Sequence, residues 1–301
     1  MALTRSVDKV DENGRELLTY GTADFPVAFF DDDLSVVAVP AHWHDELEIV
    51  VITKGTVHAR FAGESIVLTA GEGCFANSGI LHSESLATKT GHQHALVFSP
   101  GIVSRAQDLV WQTAVAPVLG NPHVPFIHLR PSVPWQKEFL QLAETAWDRG
   151  AYDRPGYPIQ VRYCLSRALS LIADNAEVTG NELRYTGRYR QNENRVKKAL
   201  TYIENHYDGE IGIDDIARSA GISVSTCLRL FSAVLGVTPV QYLIGYRLRK
   251  AAEELRCPDN RTIAETAYSC GFSDASYFDR CFRKEYGMTP SEYRRRQSAP
   301  G

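Results

Sequence analysis

The sequence predicts a two-domain α+β chain: a β-rich amino-terminal barrel or sandwich, a helical segment, and an all-α carboxyl-terminal domain. Three observations carry this. Short Val-, Ile- and Phe-rich runs broken by Gly fill roughly the first hundred residues. At about Ser132 the apolar pattern changes from strand-like runs to helical spacing. Beyond Arg195 everything reads as helix, and a block starting at Ile213 recurs fifty positions later. The length of 301 residues suits two domains, and 44% hydrophobic with 23% charged residues excludes a collagenous or wholly disordered chain.

In chain order, the strands are Leu47–Thr53, Thr56–Ala62, Ser65–Ala70, Cys74–Asn77 and Ala95–Ser99, with turns at Lys54-Gly55, Ala62-Gly63 and Gly71-Glu72-Gly73. After a Ser-Val-Pro start, Val133, Phe139, Leu142, Ala143 and Ala146 mark one helix. A second, from about Tyr157 to Ala176, puts Val161, Leu165, Ala168, Leu169 and Ile172 on one face. The stretch 177–193 loses apolar periodicity and gains Gly, Asn, Arg and Tyr, which reads as a linker. The expected division is therefore 1–131, 132–176, 177–193 and 194–298.

Six cysteines without a CxxC pair, in a chain this long, read as reduced core thiols (Cys74, Cys164, Cys227, Cys257, Cys270 and Cys281). The charges scattered through the first sixteen residues leave no apolar core for a signal peptide. The uncharged run Leu109–Leu129 contains three prolines, so it is not a membrane helix. A cytoplasmic protein with no membrane partner is expected.

In the repeat, Ile213 to Ser223 lines up with Ile263 to Ser273. Phe231, Gly236, Thr238, Pro239 and Tyr242 line up with Phe282, Gly287, Thr289, Pro290 and Tyr293, now fifty-one on. The second copy thus holds one extra residue between its turn and its Phe. Each copy has the logic of a helix-turn-helix: a small residue for close approach (Ala217, Ala267), a turn glycine (Gly221, Gly271), an apolar plug (Ile222, Phe272) and a Ser positioned to cap the next helix (Ser223, Ser273). The units span about 213–235 and 263–286.

These residues closely resemble the DNA-binding domain of the AraC/XylS family of transcription regulators, whose signature is similar to Cys270-Gly-Phe-Ser-Asp-Ala-Ser-Tyr-Phe-Asp-Arg and Gly287-Met-Thr-Pro-Ser-Glu-Tyr-Arg. The resemblance implies that a long helix, at about 240–255, joins the two units and places both recognition helices in successive major grooves of double-stranded operator DNA. Carried over by position, the first offers Ser223, Val224, Ser225, Thr226, Leu228 and Arg229, the second Ser273, Asp274, Ala275, Ser276, Asp279, Arg280 and, near its end, Lys284. Arg229 and Arg280 hold matching places, suited to guanine or phosphate. Leu228 departs from the polar residue often seen there, and Thr266 from the usual aliphatic one, which is expected to loosen the second unit. Leu230, Phe231, Phe278 and Phe282 and the Tyr pair read as core.

The other constellation is Pro40-Ala-His42-Trp43-His44-Asp-Glu46-Leu-Glu48, followed by Gly71-Glu-Gly-Cys-Phe-Ala-Asn77-Ser-Gly79-Ile-Leu-His82. On an extended strand His42, His44, Glu46 and Glu48 share a face, pointing inward if Leu47 and Ile49 point outward. The two segments resemble the paired motifs of cupins, so a cupin-like sensor barrel is implied, although Asn77 replaces a usual Pro. No cofactor is expected, these residues hydrogen-bonding a small effector or each other; the alternative is that His42, His44, Glu48 and His82 hold a divalent transition metal, to which the set is suited. His58 and Arg60 on the next strand extend the expected pocket, with Phe61 or Trp43 on the other face and His92 and His94 on a later strand; such groups suit a sugar.

The leading function is a ligand-responsive transcription regulator, not an enzyme, acting as a homodimer through its helical segment and on RNA polymerase if an activator. The rival is a cupin metalloenzyme with an appended helical DNA-binding domain, and a non-specific architectural DNA binder leaves the barrel unexplained. The net charge of −4 argues against DNA binding only as an average. Residues 190–301 hold 17 Lys and Arg against 14 Asp and Glu, and residues 1–189 hold 15 against 22.

Overall fold

The computed structural model describes residues 21–22, 24–36, 39–104, 108–119, 121–179, 187–256 and 261–297, with side chains throughout except at 176–179 and 187–189. The first sixteen residues, expected to hold no signal peptide, and Cys257 lie outside them. The chain divides into two compact units at Glu193 and Asn194.

The first unit is a two-sheet antiparallel sandwich, the layered form of the expected barrel. One sheet has the order β1 (Val27–Asp33), β8 (His92–Phe98), β3 (Leu47–Lys54), β6 (Gly73–Ala76), β9 (Phe126–Leu129). The other has the order β2 (Val39–His42), β7 (His82–Leu86), β4 (Thr56–Phe61), β5 (Glu64–Thr69). Alternation along each strand creates two cores. Val50, Ile52, Val57, Ala59, Phe61, Leu68, Ala95, Val97 and Phe126 fill the space between the sheets.

Leu47, Ile49, Phe29, Leu96 and Phe98 face the other way, against α2 (Pro134–Ala151) and α3 (Tyr157–Thr179). Gly150 lets α2 approach the sheet: a Cβ there would lie 2.0 Å from the Phe29 ring. Trp147 adds a directional tie, donating its Nε1–H to the Phe30 carbonyl at 2.8 Å. A bent helical stretch, Trp111–Val115 continuing into α1 (Ala116–Leu119), precedes β9.

Four strands escaped the sequence reading. β1 has the apolar run Val-Ala-Phe-Phe but ends in three aspartates, β2 and β9 have only four residues each, and β7 reads His-Ser-Glu-Ser-Leu with no apolar run. The expected linker 177–193, which ends at the boundary between the two units, is helical at both of its described ends. α3 continues to Thr179 and α4 (Gly187–His206) begins before its end, so helix occupies both flanks. Polar residues such as Arg190, Gln191 and Glu193 tolerate helix without an apolar stripe.

The second unit continues with α5 (Ile213–Ser219), α6 (Val224–Leu235), α7 (Pro239–Arg256), α8 (Ile263–Ser269), α9 (Ala275–Tyr286) and α10 (Pro290–Gln297). Its repeated Gly-x-Thr-Pro-x-x-Tyr has a physical content. Gly236 and Gly287 take φ of +74° and +69° to close α6 and α9. Thr238 and Thr289 then open the next helices through reciprocal capping. Gln241 N–H donates to Thr238 Oγ1 at 3.2 Å and the Thr238 N–H to Gln241 Oε1 at 2.8 Å, and Thr289 with Glu292 repeats this at 3.2 and 2.8 Å. The Pro occupies the first helical position, and Tyr242 and Tyr293 are buried.

The cysteines within the described residues are all free thiols: Cys74, Cys164, Cys227 and Cys270 buried, Cys281 half-buried. Burial pushes Cys227 up to about 11 and Cys270 up to about 12. Among the described residues no single helix is long and apolar enough to cross a membrane.

Candidate functional site

In each helix-turn-helix the turn glycine is left-handed, at φ +65° for Gly221 and +81° for Gly271. The next N–H bonds back to the small residue, Ile222 to Ala217 O at 3.1 Å and Phe272 to Ala267 O at 3.0 Å. Phe272 is buried against Phe278, with ring centroids 5.0 Å apart. Cys227, Leu230, Phe231 and Val234 turn α6 inward, and Phe278 and Phe282 do so for α9. The predicted core aromatics are therefore core.

What remains outside is the exposed face of each second helix. On α6, Ser225, Leu228 and Arg229 are exposed, Val224 and Thr226 half-buried. Ser223 caps this helix, accepting from the Thr226 N–H at 3.3 Å, and its hydroxyl also contacts those of Thr226 and Ser225 at 2.9 and 3.2 Å. On α9, Ser276, Arg280 and Lys284 are exposed, Ala275 and Asp279 half-buried.

The expected Ser273 cap is corrected. The extra residue of the second copy lies before the helix, so Asp274 is the cap and accepts from the Tyr277 N–H at 2.8 Å. Ser273 stays exposed in the turn. Asp279 pairs with Arg283 at 3.3 Å across one helical turn. With α6 and α9 aligned by their first residues, Thr226 corresponds to Tyr277, which is 41% exposed, with the Arg280 guanidinium 5.8 Å from its ring centre. The sequence reading missed Tyr277, although the fifty-one-residue offset would have found it. Thr266 is buried, and its hydroxyl accepts from Arg294 Nη2 at 3.4 Å.

In the sandwich, His42, His44, Glu48 and His82 come together, with ligand atoms all within 4.8 Å of one another. The set spans both sheets, because the chain leaves β2 at His42 and enters β3 at Leu47. Leu47 and Ile49 point outward and Glu48 inward, which meets the condition set above. Each ring is fixed from behind. His42 Nδ1 lies 2.9 Å from Pro40 O, His44 Nδ1 3.2 Å from Glu46 O, and His82 Nδ1 2.8 Å from Ile80 O. A carbonyl only accepts, so Nδ1 carries the proton at each ring.

A neutral ring then turns the Nε2 lone pair toward its neighbours. Glu48 Oε2 nevertheless lies 3.3 Å from His44 Nε2 and 2.7 Å from His82 Nε2. Acceptor facing acceptor requires a proton or a metal cation at the common point. Burial works against the Glu48 carboxylate, but the His82 and His44 interactions hold it well below the usual range. Glu84, deeper in the same interior, shows the opposite: burial and the Glu48 charge push it up to about 8.

Other pocket expectations fail on strand phase. On β4 the inward residues are Val57, Ala59 and Phe61, so His58 is exposed on the outer face and Arg60, also outside, donates to Gly63 O at 3.2 Å. Phe61 does face inward, stacked on His82 with centroids 5.6 Å apart. Trp43 is buried. Glu46 contributes its carbonyl to His44 and its carboxylate stands outside the cluster. His92 and His94 share the outward face of Leu96, not the interior.

A sandwich with a polar cluster in its core, followed by paired DNA-reading helices, defines a transcription regulator governed by a ligand-binding domain. Comparison with known proteins agrees. Residues 26–147 match the profile of the AraC-like ligand binding domain and residues 216–296 that of a helix-turn-helix domain. The HTH-type transcriptional regulator YdeC of Bacillus subtilis is 30% identical over 293 residues, covering 96% of this chain and 98% of that protein. The HTH-type transcriptional activator RhaS of Enterobacter sp. is 27% identical over 275 residues, covering 91% and 94%. A crystal structure of an AraC-type transcriptional regulator from Chromobacterium violaceum shares 29% identity, covers 36% of this chain and 96% of that one, and superposes with a TM-score of 0.34.

The chain belongs to the AraC family of DNA-binding transcription regulators, with an amino-terminal ligand-binding domain. The regulator reading therefore stands over the metalloenzyme one.

Proposed function

We propose that this regulator is a cytoplasmic homodimeric activator that senses a small polar molecule, a sugar among the suitable classes, at a divalent metal held inside the sandwich. The observation that carries the sensing site is the convergence of three back-fixed histidines on Glu48. His42, His44, Glu48 and His82 would hold the ion, and Phe61 shields one side of His82. The chemistry such an ion supplies is Lewis-acid attraction for an oxygen or nitrogen of the effector.

Activation through RNA polymerase follows the naming of the RhaS relatives as activators. Support for the dimer comes from α3, where Ile159 and Tyr163, four residues apart on one face, are 75% and 66% exposed. A second copy of this face would cover them. For effector binding to change DNA binding, the two states must differ in affinity for the effector.

Metal analysis of the full-length protein, purified without chelator, tests the sensing site. The protein should hold about one equivalent more transition metal than its His44→Asn/His82→Asn variant; a difference below a tenth of an equivalent rejects the site. Gel shifts on the upstream region of its own gene test the regulator. Equal affinity for unrelated DNA at physiological salt rejects specific control. In sedimentation, Ile159→Asp/Tyr163→Asp should convert dimer to monomer, and an unchanged dimer refutes the seam.

A further inference from the structure

We propose that a second divalent transition-metal site, separate from the buried histidine cluster, lies on the outer face of the five-stranded sheet and is formed by Asp31, His92 and His94. Pairing of β1 with β8 sets Asp31 directly opposite His94. His92, two residues before His94, presents its ring on the same face. The three ligand atoms lie within 4.8 Å of one another, with Asp31 Oδ1 3.3 Å from His92 Nδ1 and 3.9 Å from His94 Nε2. Donors around one ion with bonds of about 2.0–2.2 Å stand roughly 3–4 Å apart. The spacing fits.

His94 is built in. Its Nδ1 donates to Glu144 of α2, at 3.1 Å from Oε1 and 3.0 Å from Oε2. Its ring lies flat on Trp147, centroids 3.4 Å apart and planes within 7°. Trp147 is itself tied to Phe30 O. A carboxylate on the far nitrogen fixes the tautomer and leaves the Nε2 lone pair toward Asp31, the support that metal-bound histidines ordinarily receive.

The surroundings suit a cation. Asp33, at the end of β1, and Glu144 add negative charge, with Lys54 the opposing cation acting on Asp33. Asp31 and His92 are 31% and 35% exposed, so an ion can enter and keep positions for water or another ligand. Two imidazoles with one carboxylate favour zinc, nickel or copper over magnesium or calcium. The buried cluster uses none of these residues and opens to the other face of the sheet.

Trp147 provides the readout. Copper(II) on His94 would quench the indole stacked against that ring. Full-length protein carrying His44→Asn/His82→Asn, stripped with chelator, should lose fluorescence on titration with Cu²⁺ to a one-equivalent endpoint, with a matching heat when Zn²⁺ replaces it, and further substitutions are made in this background. The quench should vanish in His92→Asn/His94→Asn and in Trp147→Phe, and Asp31→Asn should weaken it at least tenfold. Glu144→Gln should weaken it about tenfold. The background itself removes the interior set. The proposal is overturned if the quench and heat survive in both His92→Asn/His94→Asn and Asp31→Asn, or if the His44→Asn/His82→Asn background shows neither.

Discussion

α6 and α9 are the same length, begin on a capping side chain and end on a left-handed glycine, yet α6 carries a single charged residue, Arg229, where α9 carries Asp279, Arg280, Arg283, Lys284 and Glu285. Their inward faces repeat: Cys227 with Phe278, Phe231 with Phe282. Their outward faces do not. Packing and capping admit few solutions, whereas exposed positions are under no such constraint. α6 presents hydroxyls and Leu228, fit for a thymine methyl, and α9 presents guanidinium and ammonium groups, fit for guanine and phosphate.

The sharpest break between the units is at their turns. Nothing lies within 4 Å of a Cβ placed on Gly221, whereas one on Gly271 would sit 2.2 Å from Tyr207 O and 2.8 Å from Arg247 Nε. Gly221→Ala incurs only the cost of the left-handed backbone, about 1–2 kcal/mol. Gly271→Ala adds an overpacking cost of about 1–3 kcal/mol. Denaturant unfolding of the two variants measures the difference, and equal losses would mean the second turn is not held by Tyr207 and Arg247.

Next come the arginines. Arg280→Ala and Arg229→Ala should each cost about 1–3 kcal/mol at a base that is read, relaxing specificity there. Arg283→Ala/Lys284→Ala should instead weaken all sequences and reduce the salt dependence of binding by about 1 for each phosphate no longer neutralised. Titrations at several salt concentrations separate these behaviours. A smaller effect is expected at the caps: Ser223→Ala and Asp274→Ala should each destabilise by about 1 kcal/mol. If Ser273→Ala costs more than Asp274→Ala, the shifted cap is wrong.

The all-α half was legible because its information is local. Turn glycines, capping threonines and the Tyr that follows them act within a few residues, so a fifty-residue repeat could be read as structure. The sandwich was legible only where strands are apolar. β7 was lost because its inward residues are His82 and Glu84, polar groups whose burial depends on strands distant in sequence. His58 and Arg60 were misplaced for a related reason: alternation gives two faces, and only the register with β5 and β7 says which is inside. The cluster of His42, His44, Glu48 and His82 was visible from spacing, but the fixing of its rings came from the carbonyls of Pro40, Glu46 and Ile80, which no side-chain pattern announces.

The inserted residue ahead of α9 has a last consequence. It replaces a neutral serine cap with the carboxylate of Asp274 at the tip of one reading head, while the other tip stays uncharged. A chain with two unlike heads in fixed order cannot be turned end for end on its site and still match the bases beneath each head. Where both heads contact base edges, even one copy reads direction as well as sequence, and an operator inverted in place is a different operator.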